Sequence, residues 1–286
     1  MRFASPAVVC RPALPGDAAD VLEFTKFIWE GHDYIKYVWD DWLADPEGIL
    51  VVAQYGGHAV GLGKLTRLAE GQWWLEGLRV DPQYQGLKIG SHIHEYLDDW
   101  WKARGGAVRL MTSWERVQVH HLSERMGYAK LGEVRSFWAP ASAGRDSFVP
   151  ATPGQARHAA QFAAAQLEAY NGLMDSGWRF SEPTEAVLQE KAEAGKLWWW
   201  GAERAGLLAC WDDEDDGVKV LGIGFAAVPP ERLYEFLTDC LHLAQRLAYG
   251  RVLWLAPALP WVEAALTGAG YASDWDGTGF LYGKQI

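Results

Sequence analysis

The sequence predicts a mixed α/β protein made of two tandem copies of one domain. Hydrophobic residues make up 49% of the 286 residues, which is enough to build a core in each copy. Apolar residues recur along the chain with strand and helix periodicities in turn. Similar segments also return after about 140 residues, a period too long for a solenoid repeat, which indicates duplication of a whole domain.

The internal repeat rests on three pairs of similar segments that occur in the same order. They are RPALPGDA at 11–18 with VPATPGQA at 149–156, GGAVRLM at 105–111 with YGRVLWL at 249–255, and ERMGY at 124–128 with TGAGY at 267–271. Between the copies, residues 139–147 are rich in Ala, Ser, Pro and Gly, as a linker would be. We therefore predict domains at 1–140 and 147–286.

The first copy contains a full set of predicted elements. The segment VVCRP is typical of a strand, and Asp17 is in position to cap the helix that follows. A second short helix, a hairpin over 49–65 that turns at Gly56–Gly57, and a strand over 73–80 come next. A helix opening near Lys88, the strand AVRLMTS and the helix VQVHHLSERM follow. The helical stripes expected to be apolar are Val21, Phe24, Thr25 and Ile28, then Ile35, Trp39, Trp42 and Leu43, then Ile89, Ile93, Tyr96, Leu97, Trp100 and Trp101.

Charge and cysteine content exclude several classes of function. The net charge of −11 would repel a phosphate backbone, so we expect no nucleic-acid partner and favour cationic substrates. No apolar run reaches the ~18–20 residues of a membrane helix, and the start of the chain has no apolar leader, so we expect a cytoplasmic protein without a membrane partner. The three cysteines are far apart, which favours reduced thiols over a disulfide frame or a metal site. The acidic run at 211–220 is interpreted as a solvated hairpin turn.

The segment LEGLRVDPQYQGLKIGSHI at 75–93 carries the main functional signal. A strand-like run stops at a polar, glycine-containing turn, and a helix begins directly afterwards. The first backbone N–H groups of such a helix have no acceptor within it and point at one place. This pattern is typical of an anion-binding site.

The order of elements and the motif VDPQYQGLKIGS at 80–91 resemble the GNAT superfamily of acetyl-CoA-dependent N-acetyltransferases. The family signature is Gln or Arg, two residues, Gly, one residue, then Gly or Ala; Gln85 and Gly90 match, and Lys88 replaces the middle glycine. The resemblance implies, for each copy, a central, mostly antiparallel twisted sheet flanked by helices. It also implies that the turn wraps the pyrophosphate of acetyl-CoA, where the charge of Lys88 would be favourable. Lys88 must then avoid a backbone conformation that only glycine adopts.

The resemblance also implies which residues hold the cofactor. Main-chain groups of Leu78, Arg79 and Val80 would pair with the pantetheine arm, and one of these N–H groups would polarise the thioester carbonyl. A second match, RVQVHHLSERMGY at 116–128, has Arg116 in the place of an Asn common in the family. The residues assigned to the cofactor are Leu78, Arg79, Val80, Gln85, Gly86, Leu87, Lys88, Ile89, Gly90, Ser91 and Arg116.

Two residues are candidates for proton transfer. Glu76 precedes the turn, on the same strand face as Leu78 and Val80 by a period of two, and the resemblance implies that a carboxylate here deprotonates the amine. The alternative for Glu76 is a charged residue on a solvated face. Ser123 stands where many members carry the Tyr that protonates the departing thiolate; a serine hydroxyl is a weaker acid and would act through water. His120 or His121 is an alternative donor, although an exposed helical face is their ordinary interpretation.

The acceptor would enter between the first two helices and the sheet, where Asp33, Tyr34 and Asp40 are candidate wall residues; polar groups on a helix surface are the alternative. In the second copy, Pro229–Pro230 lead into a helix without the loop Gln, Gly or Lys, so we expect this copy to be degenerate. The glycines of GIG at 222–224 are interpreted as a packing or bulge feature.

The leading hypothesis is an N-acetyltransferase that transfers an acetyl group from acetyl-CoA to a primary amine of a small molecule by direct attack in a ternary complex. One alternative is acetylation of a protein N-terminus or lysine. Another is a non-catalytic acyl-CoA sensor or scaffold. The sequence leaves open whether the chain is a monomer or a homodimer.

Overall fold

The computed structural model describes residues 7–26, 28–273 and 275–286. The chain start, where the sequence predicts no leader, therefore lies partly outside the described residues. Two compact units are present. The first contains the described residues up to Leu110, with His121–Tyr128 and Gly283–Ile286, and the second contains Met111–His120 and Ala129–Tyr282.

The two units differ from the predicted domains at three places. Met111–His120, predicted within the first domain, is grouped with the second unit, and the other two differences follow from strand pairing. The strand over Ala129–Pro140, predicted within the first domain, is grouped with the second unit, because its residues Val134–Pro140 pair antiparallel with Arg251–Pro257. The last four residues are grouped with the first unit, where Gly106 and Ile286 exchange both backbone hydrogen bonds at 3.2 Å. Pairing between segments distant in sequence decides both assignments, and no local pattern reports it.

The first unit follows the predicted order of elements. They are β1 (Val9–Pro12), α1 (Ala18–Thr25), α2 (Ile35–Ala44), β2 (Ile49–Tyr55), β3 (His58–Ala69), β4 (Gln72–Val80), α3 (Ile89–Lys102), β5 (Ala107–Ser113) and α4 (Val117–Arg125), the last two being divided between the units. The strands neighbour one another in the order β1-β2-β3-β4-β5. All pairs are antiparallel except β4 with β5, so the sheet is mostly antiparallel, as expected.

Helices cover both faces of this sheet. On one face α1 and α2 pack with β2 and β3 through Val21, Ile35, Trp39 and Leu62. On the other face the predicted stripe of α3 is buried at Ile89, Ile93, Leu97 and Trp101 and half-buried at Tyr96 and Trp100.

The start of α1 differs from the prediction in one detail. The Asp17 carboxylate does not cap the helix; it accepts hydrogen bonds from the Arg11 guanidinium at 2.7 and 2.8 Å and from the Leu14 N–H at 2.7 Å. The Arg11 hydrogen bonds hold the pKa of Asp17 below its usual value. Asp17 therefore forms the strong charge-assisted pair with Arg11 instead of capping the helix.

The second unit repeats much of this order. Its elements are β6 (Ala129–Pro140), β7 (Phe148–Pro150), α5 (Ala156–Leu167), β8 (Met174–Asp175), β9 (Phe180–Ser181), α6 (Glu185–Glu193), β10 (Leu197–Trp200), β11 (Gly206–Asp215), β12 (Val218–Ala227), α7 (Leu233–Arg246), β13 (Arg251–Pro257), α8 (Pro260–Gly268) and β14 (Gly279–Gln285), whose last residues belong to the first unit. The main sheet runs β14-β6-β13-β12-β11-β10-β7. Strand β12 pairs parallel with β13, whereas β6 with β13, β11 with β12, β10 with β11 and β7 with β10 pair antiparallel.

The acidic run at 211–220 forms the predicted hairpin turn between β11 and β12, with positive φ at Asp216 and Gly217. Cys10, Cys210 and Cys240 are free thiols. None of the helices in the described part of the chain combines the length and the apolar character that a membrane span requires.

Candidate active site

Strand β4 contains a one-residue bulge at Gly77–Leu78. Arg79 pairs with Leu62 on β3, and Glu76 pairs with Lys64, so β4 has one more residue than β3 between these pairs. Gly77 has a φ of +68°, and an added Cβ there would lie 2.5 Å from the Trp42 ring of α2. Glycine is therefore required at this position by both the backbone and the packing.

The bulge overturns one prediction about Glu76. Leu78 faces α3, because an added Cβ on Gly63 would touch Leu78 together with Ile93 and Leu97. Glu76 instead pairs with Lys64, whose ammonium reaches Asp45 at the end of α2. Glu76 thus lies on the α1–α2 face, opposite to Leu78, because the extra residue breaks the period of two.

Strand β4 also separates from its parallel neighbour. In the stretch that the structure describes, β4 pairs with β5 only at Gln72, Trp73 and Trp74, although β4 continues to Val80. The backbone of Leu78, Arg79 and Val80 therefore lies beyond the ladder with β5. Main-chain groups at such an opening are available to a ligand that runs alongside the strand.

The turn after β4 is shaped by two left-handed residues. The Asp81 carboxylate accepts a hydrogen bond from the Gln83 N–H at 2.9 Å, which starts a 3₁₀ turn over Pro82–Tyr84. Gly86 then has a φ of +88° and Lys88 a φ of +56°. Lys88 lies in the left-handed region that L-residues reach at a cost of about 1–2 kcal/mol. It therefore avoids a conformation that only glycine adopts, as the sequence argument required.

Helix α3 begins at Ile89, directly after Lys88, whose side chain makes no capping hydrogen bond. The N–H groups of Ile89, Gly90 and Ser91 lie in the first turn, where the helix offers them no acceptor, so they can bind an anion. The Ser91 hydroxyl accepts a hydrogen bond of 2.8 Å from Arg125 of α4. The sequence did not predict that Arg125 lies beside the start of α3. The signal it offered was that Arg125 belongs to the second motif, at 116–128.

The side chain of Glu76 is half-buried and engaged by the neighbouring strand. The Thr66 hydroxyl of β3 donates a hydrogen bond of 2.6 Å to Glu76 Oε1. Tyr34, which precedes α2, is an electrostatic neighbour of Glu76, and burial raises the pKa of its phenol so that it stays protonated at neutral pH. The carboxylate and the phenol thus lie together on the α1–α2 face.

The predicted wall residues have three different environments. Asp33 is buried, and its carboxylate accepts hydrogen bonds from Arg79 Nε at 2.8 Å and from the Ile35 N–H at 3.2 Å. Asp33 is therefore a structural partner of Arg79 rather than an open wall. Tyr34 is half-buried, with the Arg79 guanidinium 5.4 Å from its ring centre, whereas Asp40 is exposed on α2.

Ser123 does not have the surroundings expected of an acid that reaches the thiolate. Its side chain is completely buried, and its hydroxyl has no hydrogen-bond partner among the described residues. The position on α4 that the motif assigns to Ser123 faces the core, so a small side chain there cannot extend to a ligand. We therefore leave Ser123 out of the reaction.

The two histidines of α4 also differ from each other. His120 is buried, and its ring nitrogens lie 2.9 Å from the Ser113 carbonyl and 3.2 Å from the Tyr282 hydroxyl. A carbonyl oxygen can only accept, so the His120 nitrogen that faces the Ser113 carbonyl carries a proton and donates it. Both ring nitrogens are thus engaged, and His120 is a structural group. His121 is exposed, as its ordinary interpretation required. Arg116 belongs to the second unit, and its assignment to the cofactor stays a prediction.

The second unit has the corresponding bulge and strand separation but lacks the turn. Gly224 is the extra residue of β12 opposite Ala209–Cys210, as the GIG motif suggested, and β12 pairs with β13 only over Val220–Ile223. The Tyr170 hydroxyl donates a hydrogen bond of 2.9 Å to the Val228 carbonyl, leaving beside it a cavity with room for about one water molecule. Pro229 and Pro230 offer no N–H groups before α7.

Comparisons with known proteins identify what the chain is similar to. Residues 18–128 match the model of the acetyltransferase (GNAT) family, so this part of the chain is a GNAT domain. A tandem GNAT protein from the clavulanic acid biosynthesis pathway has a similar fold, with a TM-score of 0.56 at 13% identity over 97% of this chain and 98% of that one. The predicted fold class and family are therefore confirmed.

Two curated relatives cover smaller parts of the chain. Histidine N-acetyltransferase of Xenopus tropicalis is 23% identical over 177 residues, which are 60% of this chain and 55% of that protein. N-alpha-acetyltransferase RimI of Mycobacterium tuberculosis is 31% identical over 99 residues, which are 34% of this chain and 61% of that protein. The chain thus spans little more than half the length of these relatives.

Proposed function

We propose that the protein is an acyltransferase that moves the acetyl group of acetyl-CoA to a primary amine of a small molecule, using one site in the first unit. The observation that carries the proposal is the bulge at Gly77, which gives Glu76 and Leu78 opposite faces of β4. An acceptor and a donor can then approach the same strand from its two sides. Such an arrangement suits direct attack within a ternary complex.

The cofactor half of the proposal rests on the turn and the start of α3. The N–H groups of Ile89, Gly90 and Ser91 would bind the pyrophosphate of acetyl-CoA, with Lys88 and Arg125 adding positive charge. These two cations matter in a chain whose net charge is −11. Acetyl-CoA would supply the acetyl group as a thioester, and the proposal includes no metal.

The chemical step needs a neutral amine. Glu76 would take the proton from the ammonium group, and the amine nitrogen would then attack the thioester carbon. A backbone N–H of Leu78, Arg79 or Val80 would stabilise the oxyanion, a contribution of about 3 kcal/mol. The C–S bond breaks, the nitrogen gives its second proton to solvent as the amide forms, and the CoA thiolate takes a proton from solvent.

The relatives guide the choice of acceptor. The name of the Xenopus relative specifies histidine, and its similarity extends over more of this chain than that of RimI. This favours a small amine over a protein N-terminus, which the RimI similarity keeps as the second candidate. The proposal includes a cytoplasmic location, which the free thiols support, and a monomer or homodimer.

The test is acetyl-CoA turnover by the purified protein with a panel of amino acids, other small amines and short peptides. We expect turnover with at least one small amine, and binding of one acetyl-CoA per chain by calorimetry. Glu76→Gln should lower kcat at least 100-fold while leaving acetyl-CoA affinity unchanged. Glu70→Gln, at an exposed turn of the same unit, is the matched control.

Preference for peptides would favour the second candidate. Acetyl-CoA binding without turnover of any amine would leave the sensor hypothesis in place of an enzyme. Full activity in Glu76→Gln would contradict the assignment of the base.

A further inference from the structure

Thr66 and Glu76 are diagonal neighbours on one face of the sheet. Lys64 on β3 pairs with Glu76 on β4, and Thr66 pairs with Trp74, so these four side chains share the α1–α2 face. The Thr66 hydroxyl donates its hydrogen bond to Glu76 Oε1 across this diagonal, at 2.6 Å. A threonine side chain has few χ1 choices in a strand, so its hydroxyl is held in place by the backbone itself.

We infer that Thr66 is a positioning residue for Glu76: it fixes the carboxylate toward the acceptor. This inference rests on the proposed role of Glu76 as the group that deprotonates the amine. The hydrogen bond from the Thr66 hydroxyl restricts the Glu76 side chain, which otherwise has three rotatable bonds.

Other charged groups face Glu76 from the neighbouring elements. Lys64 lies opposite on β3 and is paired with Asp45 after α2. Tyr34 comes from the segment before α2, and Arg79 on β4 is paired with Asp33. These pairs leave the net electrostatic environment unchanged when Thr66 is replaced by a neutral residue. A change in kcat would therefore report the hydroxyl itself.

The test is the measurement of kcat and KM for the amine in Thr66→Val, which keeps the shape and removes the donor. We expect kcat to fall about 10-fold, as for one lost charge-assisted hydrogen bond, while KM for the amine stays unchanged. Acetyl-CoA affinity should also stay unchanged, because Glu76 does not face the cofactor side of β4.

Two further variants separate the hydroxyl from packing. Thr66→Ser retains the donor and should keep the kcat of the original protein, while Thr66→Ala should behave like Thr66→Val even if the latter folds poorly. An unchanged kcat in Thr66→Val or Thr66→Ala overturns the inference. Equal loss in Thr66→Ser also overturns it, because the hydroxyl is then not the cause.

Failure of the proposed function would look different. In that case Glu76→Gln, measured beside the Thr66 variants, would retain full kcat. If Glu76→Gln lowers kcat at least 100-fold and Thr66→Val leaves it unchanged, the base assignment stands and only the role of Thr66 is refuted.

Discussion

Replacement of Asp175 by Asn should make the second unit more stable at neutral pH and remove part of its pH dependence. Asp175 lies in β8 with 1% of its surface exposed, and neither carboxylate oxygen has a hydrogen-bond partner among the described residues. Burial raises the pKa of Asp175 from 3.8 to about 7, and the nearby Trp178 and Arg179 N–H groups oppose this only in part. The folded state therefore holds this proton over a pH range in which the unfolded chain has lost it.

The sign and size of the effect follow from linkage. Between pH 4 and pH 7 the unfolded state binds fewer protons than the folded state, so stability falls as pH rises through this window and is level above it. Each pKa unit corresponds to 1.36 kcal/mol, so the raised pKa costs about 4 kcal/mol at pH 8. Asn is neutral at every pH and has nearly the same shape, so it does not incur this cost.

The assay is urea unfolding of the original protein and of Asp175→Asn at several values between pH 4 and pH 8. We expect similar stability at pH 4 and a gap that widens to about 4 kcal/mol at pH 8. Asp213→Asn, at an exposed position of β11, is the control and should show no such trend. A gap that is constant with pH would refute the argument, because the carboxyl would then titrate equally in both states.

Two further expectations concern the cofactor turn. Lys88→Gly should raise the free energy of unfolding by about 1 kcal/mol, because glycine removes the cost of the left-handed conformation, and should weaken acetyl-CoA binding through the lost charge; Lys88→Met should weaken binding alone. Unfolding curves and calorimetry separate the two effects, and an unchanged stability in Lys88→Gly would show that the backbone there is unstrained. Arg125→Gln should lower acetyl-CoA affinity several-fold at low salt and less at high salt. If Arg125→Gln and the original protein bind acetyl-CoA with equal affinity at both ionic strengths, Arg125 is not part of the site.

The parts of the first unit that the sequence predicts well depend on local chemistry. The hairpin at Gly56–Gly57 has positive φ at both glycines, which the dipeptide itself favours. The apolar stripe of α3 follows helical spacing. The polar turn residues between β4 and α3 also lie where the strand ends and the helix begins, as the sequence predicts. Each of these features is decided within about ten residues, so a pattern is enough to find it.

The bulge in β4 shows where such patterns end. Nothing in the run LEGLRV tells whether Gly77 continues the pleat or adds a residue, since that depends on the Trp42 ring packed beneath it. Assigning Glu76 to the face of Leu78 was wrong for this reason alone. The same limit applies to Asp33, whose partner Arg79 lies on another element and whose burial follows from that pair.

The two units share some features of their sheets and differ in the turn that follows the bulged strand. Both units have a glycine bulge, at Gly77 and at Gly224, and a parallel pair of strands that stops early. These features therefore belong to the fold that both units share. In the second unit the Tyr170 hydroxyl donates a hydrogen bond to the Val228 carbonyl, and Pro229 and Pro230 stand where the first unit has its turn. The acetyl-CoA site that we propose therefore rests on the residues from Gly86 to Ser91, where two left-handed residues come directly before the first N–H groups of α3.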